Sequence, residues 1–90
     1  MTRRKFRSQA GIILDMLEAL EAYGPLNATR LMYYANTSYG RLKEVLTRLL
    51  EQGLVEECEP HRYCITPEGG KALRQLREAG RLLENLGYKL

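Results

Sequence analysis

The sequence predicts a mostly helical α+β domain in which three helices precede a two-stranded hairpin and a fourth helix follows it. Apolar residues recur at spacings of three and four in several segments, glycine, proline or short polar runs separate those segments, and two strand-like runs lie before the last one. The 90-residue chain has the size of one domain, and its 44% hydrophobic and 28% charged content is typical of a globular protein.

The first helix is predicted to run from Ser8 to Tyr23. Ser8 is a suitable N-cap because its hydroxyl can accept a hydrogen bond from a free amide of the first turn. Gly24 and Pro25 end the helix, since neither residue continues the helical turn well. The apolar face that defines this helix consists of Ile12, Ile13, Met16, Leu17, Leu20 and Tyr23.

A second, short helix is predicted from Ala28 to Ala35. Asn27 can cap it, and Leu26 can pack on Leu31 in the manner of a hydrophobic staple. A polar break of three residues, Asn36, Thr37 and Ser38, follows this helix.

The third helix is predicted from Tyr39 to Gln52, with Gly53 just past its end. Two helices joined by a three-residue turn, the second being longer, are typical of a helix-turn-helix. Its predicted inner face holds Leu42, Val45, Leu46, Leu49 and Leu50, and its outer face holds Gly40, Lys43, Glu44, Thr47, Arg48 and Glu51.

Two short runs, Leu54 to Cys58 and Arg62 to Thr66, predict a β-hairpin. Cys58 and Cys64 flank its turn. A three-residue loop would place the two cysteines opposite each other and let oxidation join them, whereas a two-residue loop would pair Cys58 with Tyr63.

The chemistry of the two cysteines has three interpretations. Two reduced, partly buried thiols are the simplest interpretation, because intracellular disulfides are uncommon. A cross-strand disulfide is the alternative. A zinc site is disfavoured because Cys58, His61 and Cys64 supply three ligands at an irregular spacing with no fourth in reach. We therefore expect no metal and no cofactor.

The fourth helix is predicted to begin after Thr66, with Pro67 in its first turn. Leu73 and Leu82 flank its apolar stripe, which suggests two contact surfaces, one for its own domain and one for a second copy of the chain. A helix that packs only within its own domain is the alternative. The stripe has the spacing of a coiled coil and consists of Ala72, Leu76, Ala79, Leu83, Leu86 and Leu90.

Residues 29–54, TRLMYYANTSYGRLKEVLTRLLEQGL, resemble the archaeal 10a-type winged helix-turn-helix DNA-binding proteins. The resemblance implies a homodimer joined by an antiparallel coiled coil of the C-terminal helices, with a winged head at each end that binds double-stranded DNA. The chain would then divide into a basic N-terminal arm (1–7), a winged helix-turn-helix domain (8–66) and a C-terminal dimerisation helix (67–90).

Two features depart from the family pattern. The last helix has only about 20 residues, or ~30 Å, so the two heads should lie close together. The wing is acidic, with Glu56, Glu57 and Glu59 against Arg62 alone, which argues against a strong contact between the wing and phosphate.

The charge distribution favours an anionic partner although the net charge is only +3. Residues 1–10 carry +4, residues 27–53 carry +2 and residues 67–90 carry +2, whereas the two segments between them are negative. We expect the third helix to enter the major groove through Ser38, Tyr39, Arg41, Lys43, Thr47 and Arg48. Contacts to phosphate or the minor groove are expected from Asn27, Arg30, Arg3, Arg4, Lys5 and Arg7.

Other classes of function have less support. Enzymatic activity is not expected, since His61 is the one histidine and lies in a turn. The phase of Tyr23, Tyr33 and Tyr63 predicts packing in the core and not stacking on single-stranded bases. No apolar run is long enough to span a membrane, and carboxylates interrupt any signal-peptide core, so a cytoplasmic, nucleoid-associated protein is expected. A winged helix that binds only other proteins is the main alternative.

Overall fold

The computed structural model describes residues 8–88. Three helices, an antiparallel hairpin and a fourth helix follow one another as predicted, and the winged helix-turn-helix fold is confirmed. Of the described helices, none is long and apolar enough to cross a membrane. The elements are α1 (Gln9–Tyr23), α2 (Ala28–Ala35), α3 (Tyr39–Glu51), β1 (Val55–Glu59), β2 (Arg62–Ile65) and α4 (Pro67–Asn85).

Each helix begins at a side chain that caps it. The oxygens of Ser8, Asn27, Ser38 and Thr66 each accept a hydrogen bond from the amide three residues further on, at 2.9–3.2 Å. Each cap satisfies an amide that has no partner inside the helix, and caps of this kind contribute about 1 kcal/mol each. The local sequence therefore sets where the four helices start.

The end of α3 depends on Gly53, whose φ is 76°. In this left-handed conformation the Gly53 amide donates to the Leu50 carbonyl at 3.1 Å and the Leu54 amide donates to the Leu49 carbonyl at 2.9 Å. This pair of bonds is the Schellman motif, which glycine accommodates best. It turns the chain from α3 directly into β1.

One hydrophobic core joins all four helices and the hairpin. From α4 it receives Leu73, which is fully buried, and from β1 it receives Val55. Three residues predicted on inner faces lie at the surface instead: Leu50 is 36% exposed, Tyr23 61% and Tyr33 76%. The core consists of Ile12, Met16, Leu17, Ala19, Leu20, Leu26, Leu31, Ala35, Leu42, Val45, Leu46, Leu49, Val55 and Leu73.

The first half of α4 packs against α1. Leu76 lies against the core, and Arg77 bridges to Glu18 at 3.2 Å and to Glu21 at 3.0 Å. The hydrogen bonds that Arg77 donates to Glu21 and to Glu18 raise its pKa above the ordinary value. The first turns of α4 therefore pack against their own domain.

The second half of α4 differs from the sequence prediction at its end. The helix stops at Asn85, and Leu86 is its C-cap, followed by Gly87 with a φ of 95°. Leu86 is consequently beyond the regular helix, and Leu90 lies outside the described residues. A glycine in the left-handed conformation ends the helix here because it carries no Cβ.

The hairpin corrects the expectation about the cysteines. Glu57 pairs with Tyr63 and Glu59 pairs with Arg62, so the turn has two residues and Cys58 occupies a β-bulge between the two pairs. The bulge brings the Cα atoms of Cys58 and Cys64 within 5.9 Å, and a disulfide joins the two residues. The prediction that a two-residue loop would pair Cys58 with Tyr63 is wrong, because the bulge adds an extra residue to β1 and Tyr63 pairs with Glu57 instead.

We expect reduction of this disulfide to lower the free energy of unfolding by about 2 kcal/mol, since a short cross-linked loop restricts the unfolded chain. Thermal melts with and without a thiol reductant measure the difference. The double variant Cys58→Ser, Cys64→Ser should have the melting temperature of the reduced protein, and the reductant should not change it. Alkylation of both sulfurs in protein purified without reductant would contradict the bond.

Candidate nucleic-acid interface

The outward face of α3 is an exposed, polar surface of the helix-turn-helix. Leu42, Val45 and Leu49 hold the helix to the core on its other side, and Ser38 fixes its first turn. The outer face is a shallow, open concavity of ≈ 440 Å³. Its lining contains all six residues that the sequence assigned to this face: Gly40, Lys43, Glu44, Thr47, Arg48 and Glu51.

The chemistry of this face suits the recognition of a partner surface that presents both hydrogen-bond donors and hydrogen-bond acceptors. Lys43 and Arg48 can donate, Glu44 can accept, and the Thr47 hydroxyl can do both. Glycine at position 40 leaves open space, because among residues 8–88 no atom outside its own helical turn lies within 4 Å of where its Cβ would be. A partner surface can therefore approach the backbone of the first turn of α3.

Two contacts restrain the long cationic side chains. Arg48 Nη1 donates to Gln9 Oε1 at 2.7 Å, so the first residue of α1 holds the guanidinium of α3. Lys43 Nζ lies 6.0 Å from the centroid of the Tyr39 ring, which is the outer limit of a cation–π contact. Sequence reasoning missed Gln9, because nothing in the local pattern shows that the start of α1 lies beside the middle of α3.

The structure separates the predicted contact residues into groups. Ser38, Tyr39, Lys43, Thr47 and Arg48 are exposed together along α3, whereas Arg41 is half-buried. Asn27 and Arg30 are exposed at the start of α2, which is eight residues or about 12 Å long. The arm residues Arg3, Arg4, Lys5 and Arg7 lie outside the described residues.

The wing is acidic, as its sequence indicates, but part of this charge is used locally. Glu57 Oε2 accepts a hydrogen bond from the His61 amide at 2.8 Å, which holds the turn. Glu59 lies 3.6 Å from Arg62, and Arg62 Nη2 also donates to the Pro25 carbonyl at 3.2 Å. Arg62 therefore leans towards the turn between α1 and α2.

Comparisons with known proteins agree with this geometry. Residues 6–84 match the model of a family described as winged helix-turn-helix. A solved structure with a TM-score of 0.79 and 28% sequence identity covers 89% of this chain and 85% of its own; it is Sso10a-2, a DNA-binding protein from Sulfolobus solfataricus. A search of curated proteins found no match.

Proposed function

The chain belongs to the winged helix-turn-helix family, and from this premise we propose that it binds double-stranded DNA as a homodimer. It would act as a transcriptional regulator or as a chromatin-associated architectural protein of the nucleoid, without enzymatic activity. The observation that carries the proposal is the outer face of α3, which is open, polar and partly cationic, and which the core holds rigidly. The DNA-binding description of Sso10a-2 supports it.

In this proposal α3 lies in the major groove and reads base edges. Lys43 and Arg48 are suited to the acceptors of guanine, and Thr47 to a base edge or to the methyl group of thymine. Glu44 and Glu51 weaken any general attraction to phosphate, so binding by this face should depend on how well it fits a base sequence. Asn27, Arg30 and the basic arm would supply contacts to the DNA backbone.

The homodimer rests on apolar surface that one copy leaves uncovered. Leu82 is 60% exposed, Leu86 64% and Tyr88 65%, all at the free end of α4. Ala79 is exposed and Leu83 half-buried on the same stripe, whereas Ala72 and Leu76 are partly occupied by their own domain. The dimer contact would therefore centre on the second half of α4.

We expect Lys43→Ala and Arg48→Ala to weaken binding to a preferred duplex by about 1–3 kcal/mol each, and to have much less effect on random DNA. Deletion of residues 1–7 should instead weaken binding to every duplex and reduce the salt slope by about 0.9 per lost phosphate contact. Fluorescence anisotropy with labelled duplexes at several salt concentrations measures both. Lys71→Ala on exposed α4 is the matched control.

A module that binds only proteins is the competing function, and the exposed carboxylates of Glu56, Glu57 and Glu59 favour it. Such a module would show no salt-dependent binding to duplex DNA at 50 mM salt, either as the full chain or after the changes in α3. That result would overturn the DNA-binding proposal.

A further inference from the structure

A second groove lies beside the start of α2, away from the outer face of α3. It has a volume of ≈ 390 Å³ and is bounded by the turn between α1 and α2, the first turn of α2 and the edge of the hairpin. Two arginines line it, and none of the lining residues in the described part of the chain carries a carboxylate. The lining residues are Tyr23, Pro25, Leu26, Asn27, Arg30, Tyr34 and Arg62.

The two arginines reach this groove from different parts of the chain. A bridge between Leu26 and Tyr63 joins β2 to the segment before α2, with backbone hydrogen bonds of 3.0 and 2.8 Å. This bridge places Arg62, the residue before Tyr63, next to Pro25. The Pro25 carbonyl accepts a hydrogen bond from Arg62 Nη2. An arginine of the wing therefore lines the same groove as Arg30 of α2, which is 32 positions earlier in the chain.

The charge of these arginines is poorly compensated. Within residues 8–88, the guanidinium of Arg30 has no acidic partner, and Arg62 has only Glu59 at 3.6 Å. Both side chains of that pair are more than half exposed, at 53% and 58%, so the pair contributes little and can exchange for a stronger anion. Two guanidinium groups that share one groove repel each other unless an anion lies between them.

The remaining walls also suit an anion. The groove borders the start of α2 through the cap residue Asn27 and through Arg30, and the helix dipole is positive at this end. Tyr34 forms a fixed wall, because Tyr23 stacks on it with ring centroids 4.8 Å apart and Tyr33 meets it edge-on at 5.3 Å. On the other side of this tyrosine pair the surface is acidic, with Asp15 and Glu18.

We propose that the groove between the α1–α2 turn and the hairpin binds a phosphate group through Arg30 and Arg62. Guanidinium groups bind phosphate oxygens in a fork geometry, and the positive end of the α2 dipole adds to the attraction. The phosphate can belong to the DNA backbone or to a free phosphate ester. The first source rests on the proposed function, and the second does not.

The test uses the full chain with Arg30→Gln, Arg62→Gln and the double variant, and Arg74→Gln on exposed α4 as the charge-matched control. Arg30→Gln is the decisive single change, because its side chain makes no hydrogen bond or ion pair within the described residues and its loss should leave the melting temperature unchanged. Two arms follow: a labelled duplex titrated at several salt concentrations, and adenosine 5′-monophosphate titrated into ¹⁵N-labelled protein, with adenosine as the uncharged comparison.

If the phosphate comes from DNA, the double variant should bind the duplex about tenfold more weakly or worse and reduce the salt slope by about 0.9, the value for one lost phosphate contact, while Arg74→Gln should change neither. If it comes from a free ester, adenosine 5′-monophosphate but not adenosine should shift the amides of residues 27–30 and 62–63, and the double variant should abolish the shifts. The proposal is overturned if the arginine variants match Arg74→Gln on DNA and the ester produces no saturable shift. Absence of duplex binding by the unmodified protein would refute the proposed function alone. The titration with adenosine 5′-monophosphate would then show whether the groove binds phosphate.

Discussion

Gly69→Ala is expected to lower the free energy of unfolding by about 3 kcal/mol, at the upper end of what overpacking usually costs. Gly69 is buried in the first turn of α4, and a Cβ there would collide with the Leu54 carbonyl oxygen and come within 2.7 Å of Ile65 Cγ1. The backbone carbonyl cannot move away by changing rotamer. It also accepts the Thr66 amide at 3.1 Å, so displacing it disturbs the start of α4.

The neighbouring glycine provides the control. Within the described part of the chain, a Cβ at Gly70 would meet only the end of the Arg74 side chain at 3.8 Å, which is an ordinary contact. Gly70→Ala should therefore stabilise the protein by up to about 1 kcal/mol, since alanine is the better helix former. Denaturant unfolding should show a lower free energy of unfolding for Gly69→Ala and a higher one for Gly70→Ala than for the unmodified protein. In thermal melts, the melting temperature of Gly69→Ala should be lower by roughly 10–20 °C. Equal shifts of the same sign would show that helix propensity and not close packing governs this turn.

Leu86→Asp is expected to weaken the proposed homodimer by about 100-fold or more. A twofold axis would bring the substitution into the interface twice, and each copy would place a carboxylate in an apolar contact. Leu86 is 64% exposed in one copy and caps the helix end, so the change should leave the fold and its melting temperature intact. Analytical ultracentrifugation across a concentration series measures the dissociation constant.

The dimer experiment has its own control at the other end of α4. Lys71 is exposed near the start of the helix, away from the proposed contact, and Lys71→Asp should dimerise like the unmodified protein. Because two linked heads bind one duplex more tightly than separate heads, Leu86→Asp should also lose about 100-fold or more in DNA affinity. An unmodified chain that sediments as a monomer at micromolar concentration would refute the dimer.

Local sequence signals were sufficient for the elements of this fold. Ser8, Asn27, Ser38 and Thr66 each cap the helix that the pattern predicted, and Gly53 ends α3 where expected. The outer face of α3 was also predictable, because a helix with leucines on one side must turn its polar residues to the other. Those features depend on residues at most a few positions apart.

Tertiary structure decided what depends on contacts between distant segments. Periodicity placed Tyr23 and Tyr33 with the core, yet both are exposed: Tyr23 stacks on Tyr34, and Tyr33 meets the Tyr34 ring edge-on. The bulge at Cys58 changed the register of the hairpin, and a register depends on both strands and not on one.

The candidate sites divide in the same way. Lys43, Thr47 and Arg48 were found from the helical period alone. Three other features required the fold: the Gln9 contact to Arg48, the groove that Arg30 and Arg62 both line, and the closeness of Gly69 to the Leu54 carbonyl. The physical reason is that a sequence specifies local backbone preference and the side of each element that seeks the core, whereas the packing of elements against one another determines which polar side chains finally share a surface.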